Sequence, residues 1–223
     1  MDVIKLKEIY NKIVEEIEPQ KYTLYCDMDG VLADFEARFE QYSDGLTTNE
    51  YRDKYGIKAF WKLINDEGVG FWVGIPWMSD GKELFDYIKP NLFSLLSAPS
   101  SENSSRLGKR LWVKNKIPGT KLILAAAKNK QDYSKEGAIL IDDRVDTIRE
   151  WDSQGGIGIL HTSTSNTIQQ LKKLGLSIEL PAKRMNVSPE YDIKIKKLHI
   201  EKIHSFYVSD YLAYNYNLQK TNY

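Results

Sequence analysis

Residues 22–35 read YTLYCDMDGVLADF, and this stretch decides the fold. Its first five residues, Tyr22 to Cys26, form a short β-prone run. The run stops abruptly in two aspartates and a glycine, Asp27, Asp29 and Gly30. Behind the turn, residues 31 to about 42 have helical spacing. Strand, glycine-containing turn and helix together open an α/β unit. The same alternation returns downstream, with strands expected at 92–96, 121–126, 138–141 and 156–160. Helices are expected between them at 104–116, 131–135, 145–153 and 165–174. Repeated crossovers of this kind imply right-handed connections and a Rossmann-like parallel sheet covered by helices on both faces.

Residues 43–90 interrupt the pattern with broken helical pieces and three of the five tryptophans. They are expected to form a small, mainly helical cap inserted into a core of residues 21–42 and 91–180. Before the core, residues 3–17 place Ile4, Leu6, Ile9, Ile13, Val14 and Ile17 at helical spacing, so residues 1–20 read as an N-terminal helix. Beyond it, residues 181–223 form an accessory segment rich in lysine and tyrosine. Its Tyr207, Tyr211 and Tyr214 recur at helical spacing and suit packing on the body or on a second subunit, making a homo-oligomer possible.

The balance of 31 basic and 31 acidic residues supplies no overall field toward nucleic acid or an anionic membrane. With 42% hydrophobic residues the chain can bury a true core, and no apolar run approaches the roughly 20 residues that span a bilayer. The first residues carry acids throughout and lack the apolar centre of a signal peptide. A single cysteine, Cys26, excludes an internal disulfide. The expected setting is the cytoplasm, and the expected partner is a small molecule.

In a parallel sheet, ligands collect at the carboxyl ends of the strands. Those ends carry Asp27 and Asp29 after the first strand, Ser97 after the second, Lys128 to Lys130 after the third, and Asp142 and Asp143 after the fourth. Carboxylates converging from adjacent strands repel one another unless a cation lies between them. Hard oxygen donors that leave room for water and phosphate favour Mg²⁺. A metal, a lysine, a hydroxyl and an in-line carboxylate nucleophile are the parts that phosphoryl transfer requires. A second carboxylate two residues on can protonate the leaving oxygen and later activate water.

CDMDGVLADF (Cys26 to Phe35) resembles the first motif of the haloacid dehalogenase-like phosphohydrolases. LLSAPS (Leu95 to Ser100) resembles their hydroxyl motif, Lys130 fits their lysine motif, and LIDDR (Leu140 to Arg144) resembles their terminal acidic motif. Within that superfamily the pair DMDGVLADF and LIDDR is most similar to the 5′(3′)-deoxyribonucleotidase branch. The resemblance spans about residues 21–175. It implies that Asp27 is the nucleophile, Asp29 the general acid and base, and that Ser97 and Lys130 hold the phosphoryl oxygens. It further implies Mg²⁺ on the Asp27 carboxylate, the Asp29 backbone carbonyl and Asp142, with Asp143 acting through water. Lys128 stands two residues away as the alternative lysine, and Lys130 is preferred for its offset from Asp142.

The substrate expected from the resemblance is a (deoxy)nucleoside monophosphate. Phe35 occupies a base-pocket position of that branch, and one or two of Phe71, Trp72 and Trp77 would join it, because flat aromatic faces stack on bases. Another small phosphoester, a polynucleotide end, or a catalytically silent binding or assembly module are the alternatives. His161 reads as structural and Asp34 as a locally bonded residue of the first helix.

Overall fold

A computed structural model describes residues 22–91 and 93–176. The helix expected in 1–20 and the accessory segment 181–223 lie outside the described residues. Five strands form one parallel sheet: β1 (Thr23–Cys26), β2 (Ser94–Ser97), β3 (Lys121–Leu124), β4 (Ala138–Asp142) and β5 (Ile157–Leu160). Their order is β3-β2-β1-β4-β5. The chain steps outward from β1 to β3 and then crosses back over β1 to lay down β4. The sheet therefore has its switch point between β1 and β4, where a crevice opens beyond the strand ends.

Side-chain alternation explains why both faces are covered. Leu24, Cys26, Leu95, Ile139 and Ile141 enter one buried cluster, with Phe39, Phe60 and Trp112. Leu96, Ala138, Leu140, Ile148 and Trp151 form a second cluster. Neighbouring residues of β2 and β4 thus go to opposite faces, as a period of two demands. The α/β architecture expected from the sequence is the architecture found.

Seven α-helices are described: α1 (Phe35–Glu40), α2 (Thr48–Glu67), α3 (Val69–Val73), α4 (Gly81–Ile88), α5 (Asn103–Lys116), α6 (Val145–Ser153) and α7 (Thr164–Lys173). A 3₁₀ segment, Ala127–Tyr133, stands where a short helix is expected at 131–135. The helix expected from residue 31 begins only at Phe35, because local polar bonds claim the residues before it. The backbone N–H groups of Leu32 and Ala33 both donate to the Met28 carbonyl, closing a tight loop. Asp34 then caps α1, its Oδ1 accepting from the Ala37 N–H at 2.9 Å. Gly30 turns that loop at φ 74°, and a Cβ there would collide with the Asp143 carboxylate.

Of the stretch 43–90, α4 packs on α7, and the Tyr87 hydroxyl donates to the Leu176 carbonyl at 2.7 Å. It is thus joined to the helix that follows the last strand rather than standing apart from it. A capping box between Thr47 and Glu50 starts α2, and Gly56, at φ 83° and ψ 164°, breaks it into two straight halves. The short α3 lies against α5, where Gly108 meets Trp72.

That meeting yields a stability test. Gly108→Ala would gain up to about 1 kcal/mol of helix propensity. Its new Cβ would collide with the Cβ of Trp72, which cannot swing away as a side-chain tip can. Overpacking of about 1–3 kcal/mol is expected to win, lowering the urea midpoint. An unchanged or higher midpoint would show that α3 and α5 can separate freely.

Candidate active site

Register delivers the acids. Cys26 pairs with Ile141, so Asp27 and Asp142 leave the sheet side by side. The Asp27 N–H donates to the Ile141 carbonyl at 2.8 Å and fixes that exit. The strand-end turns supply the outer acids: Asp29 two residues beyond Asp27, and Asp143 directly after Asp142. One carboxylate oxygen each from Asp27, Asp142 and Asp143 lies within 4.8 Å of the other two.

Lys130 enters this cluster from the middle of the 3₁₀ segment after β3. Its Nζ stands 3.0 Å from Asp27 Oδ2 and 2.7 Å from Asp142 Oδ2, and its side chain is 3% exposed. Lys128 is exposed and makes no such approach. Burial opposes the charge of Lys130, but the Asp27 and Asp142 carboxylates outweigh it and hold the ammonium above its usual range. Asp142 Oδ1 accepts the Arg144 backbone N–H at 3.0 Å. Asp27 Oδ1, by contrast, is buried without a hydrogen-bond partner.

One lysine cannot neutralise three carboxylates. Desolvation first, and then the charge of Asp27, push both Asp142 and Asp143 up to about 6. An orphaned buried oxygen on Asp27 and this excess of negative charge fit a hard divalent cation, which Asp27, Asp142 and Asp143 could hold.

Asp29 is supported separately. Its Oδ2 accepts from the Nζ of Lys109, a lysine that is 0% exposed and that also donates to Ser97 Oγ at 3.0 Å. Burial pushes the Asp29 carboxyl up from its ordinary value, against the pull of the Lys109 ammonium. Asp29 Oδ1 has no hydrogen-bond partner.

A cavity of about 640 Å³ lies over these groups. Asp27, Asp29, Gly30, Lys130 and Asp143 form its floor, and Phe35, Phe60, Trp61 and Trp72 form an aromatic wall. The structure therefore brings together Asp27, Asp29, Lys130, Asp143, Phe35 and Trp72, while Asp142 stands just behind them, fully buried.

It does not bring Ser97, Phe71 or Trp77 to the cavity. Ser97 ends β2 fully buried with its hydroxyl accepting from Lys109, and the half-buried turn beyond it lines the cavity through Ala98, Pro99 and Ser100. Phe71 is fully buried behind Phe35, its ring centroid 5.3 Å away. Trp77 faces the core, 5.2 Å from the Trp112 ring and 5.8 Å from Phe85. His161 braces the sheet end, its N–H donating to the Asp142 carbonyl and its Nδ1 lying 2.8 Å from Thr167 Oγ1. Lys109 and Trp61 join the site without having been singled out from sequence.

No protein-family model and no curated protein matches this sequence. Among solved structures, the chain is similar to a hydrolase from Streptococcus pneumoniae TIGR4, at 17% identity over 68% of this chain and 99% of the other, with a TM-score of 0.46. It is also similar to a HAD family hydrolase from Deinococcus radiodurans R1 with bound phosphate and sodium, at 12% identity over 73% and 100%, TM-score 0.46. A Had-superfamily hydrolase from Ehrlichia chaffeensis is similar at 13% identity over 70% and 98%, TM-score 0.38. Among the described residues no helix is long and apolar enough to cross a membrane.

The crowded acids make stability depend on pH. A carboxyl held near 6 when folded and near 4 when unfolded binds more protons in the folded state between those values. Its contribution is therefore favourable at low pH and fades as pH rises through about 6. Asp143→Asn should melt at a higher temperature than wild type at pH 7.5 without divalent cations, with the gain shrinking toward pH 4.5. Millimolar Mg²⁺ should raise the wild-type melting temperature more than that of the variant. A variant that melts lower at both pH values would show Asp143 to be a stabilising partner rather than a crowded one.

Proposed function

We propose that this protein is a phosphomonoesterase that works through a covalent aspartyl-phosphate, with nucleoside monophosphates as its substrate class. The observation that carries the reading is Asp27 itself. Lys130 holds its Oδ2, its Oδ1 is unpartnered, and an acid with a raised pKa stands two residues on at the same cavity. A carboxylate so held at the cavity is oriented to act as a nucleophile.

The two steps follow from these groups. An Asp27 carboxylate oxygen attacks phosphorus in line, a bond to phosphorus forms, and the ester P–O bond breaks. Asp29 gives its proton to the departing oxygen, so an alcohol leaves rather than an alkoxide. Asp29 then takes a proton from water, the resulting hydroxyl attacks phosphorus, and the P–O bond to Asp27 breaks to release inorganic phosphate. Lys130 stays beside the reacting carboxylate and offsets negative charge gathering on the phosphoryl oxygens. Mg²⁺ held by Asp27, Asp142 and Asp143 would supply further charge neutralisation at the same oxygens.

The nucleotide class is supported by the wall. Phe35, Trp61 and Trp72 line the cavity that holds the acids, and the Trp72 indole N–H is a buried donor without a partner. Flat aromatic faces suit stacking on a heterocycle. The volume is within the range of small-molecule sites.

Phosphate release from a panel of nucleoside monophosphates and from p-nitrophenyl phosphate tests this. Wild type should act on both with Mg²⁺ and lose activity on chelation, and Asp27→Asn should abolish both. Trp61→Ala and Phe35→Leu should raise KM for nucleotides roughly 5- to 150-fold, the equivalent of one lost stack of about 1–3 kcal/mol, with far less change for p-nitrophenyl phosphate. Equal changes on the two substrates would remove the nucleotide reading. Near-normal activity in Asp27→Asn would remove the covalent mechanism.

A further inference from the structure

Two lysines are buried among the described residues, Lys109 and Lys130, and the chemistry above uses only Lys130. We propose that Lys109 is the positioning residue of proton transfer: it grips Asp29 by Oδ2 and so fixes at the cavity the carboxyl that gives and takes the proton. The inference rests on the phosphomonoesterase reading and deepens it.

Geometry carries the argument. A fully buried ammonium gives up its hydration and must recover it from the protein. Lys109 does so on three sides: the Asp29 carboxylate, the Ser97 hydroxyl at 3.0 Å, and the Trp72 ring, whose centroid is 5.3 Å from Nζ. None of these neighbours leaves the lysine free to choose another acid. The helix that carries it is pinned too. Gly108 lies hard against Trp72, and the Trp112 indole donates to the Ile75 carbonyl at 2.8 Å. The position of Nζ is therefore imposed by α5 packing, and Asp29 conforms to it.

Asp29 has two carboxylate oxygens with unequal fates. Oδ2 is held by the Lys109 ammonium, and Oδ1 is buried without a partner, so the carboxyl is anchored through Oδ2 alone. Because Trp72 also lines the cavity, the wall that meets the leaving group is the wall that backs Lys109. Leaving-group contact and proton delivery then share one packed unit.

The test exploits leaving-group chemistry. An alkoxide needs its proton, whereas p-nitrophenolate departs without one. Turnover of p-nitrophenyl phosphate and of an alkyl phosphate accepted by the wild type is measured with Mg²⁺ in wild type, Lys109→Met, Lys109→Arg, Asp29→Asn and the double variant Asp29→Asn/Lys109→Met. Lys109→Met should lower kcat for the alkyl phosphate on the order of 10²-fold, leave its KM within a few-fold, and lower kcat for p-nitrophenyl phosphate at least ten times less. Lys109→Arg should recover part of the loss. In the Asp29→Asn background the further change to methionine should cost less than about twofold, because a residue acting through Asp29 has nothing left to act on.

Equal losses on both substrates in a folded Lys109→Met protein overturn the inference, as does a full additional loss in the Asp29→Asn background. Should Lys109→Met fail to fold, the double variant decides, since it removes both members of the buried pair and strands no charge. A wild type silent on every phosphomonoester overturns the phosphatase reading and this inference with it. An active wild type with an unselective Lys109→Met overturns the inference alone.

Discussion

The chain folds around a concentration of negative charge that only buried cations make tolerable. Lys130 lies between Asp27 and Asp142, the residues that carry β1 and β4 out of the sheet, and bridges the two strands at the switch point. Removing an ammonium from water costs several kcal/mol, which paired carboxylates at close range return. The bridge is therefore a structural cross-link and a chemical device in one.

A second buried lysine repeats the solution for Asp29, from the other side. The two acids of the first turn are thus held by separate elements, Asp27 from the 3₁₀ segment after β3 and Asp29 from α5. Each keeps one oxygen bonded and one without a partner. Asp142 and Asp143 absorb the remaining imbalance, and both are held well above ordinary carboxylate values. Such perturbed acids in a cavity are the usual mark of a reactive site.

Much of this was legible in the residues. An apolar run ending in DMDG and another ending in IDD announce strand ends with acids, and parallel alternation implies that such ends share one edge of the sheet. Sequence does not give register, and it is the pairing of Cys26 with Ile141 that sets the acids abreast. Ser97 shows the limit of strand-end reasoning: its hydroxyl points back toward α5, and a residue one turn further on meets the cavity. The aromatics show another limit. Phe71, Trp72 and Trp77 look alike in composition, yet packing sends only Trp72 to the wall and recruits Trp61 from the helix before it. Lys109 did leave a signal. Ser105, Gly108, Trp112 and Val113 share its face of α5 at helical spacing, and a lysine on an otherwise buried stripe must have a partner waiting.

The break at Gly56 has a further implication. It makes the roof of the cavity out of two short rods laid end to end, one bringing Thr48 and Arg52, the other Phe60 and Trp61. None of these four residues touches the lysine bridges below. Lineages descended from such an architecture can redraw the roof residue by residue while the floor is left untouched, so that diversification of what enters the site is decoupled from inheritance of the chemistry performed there.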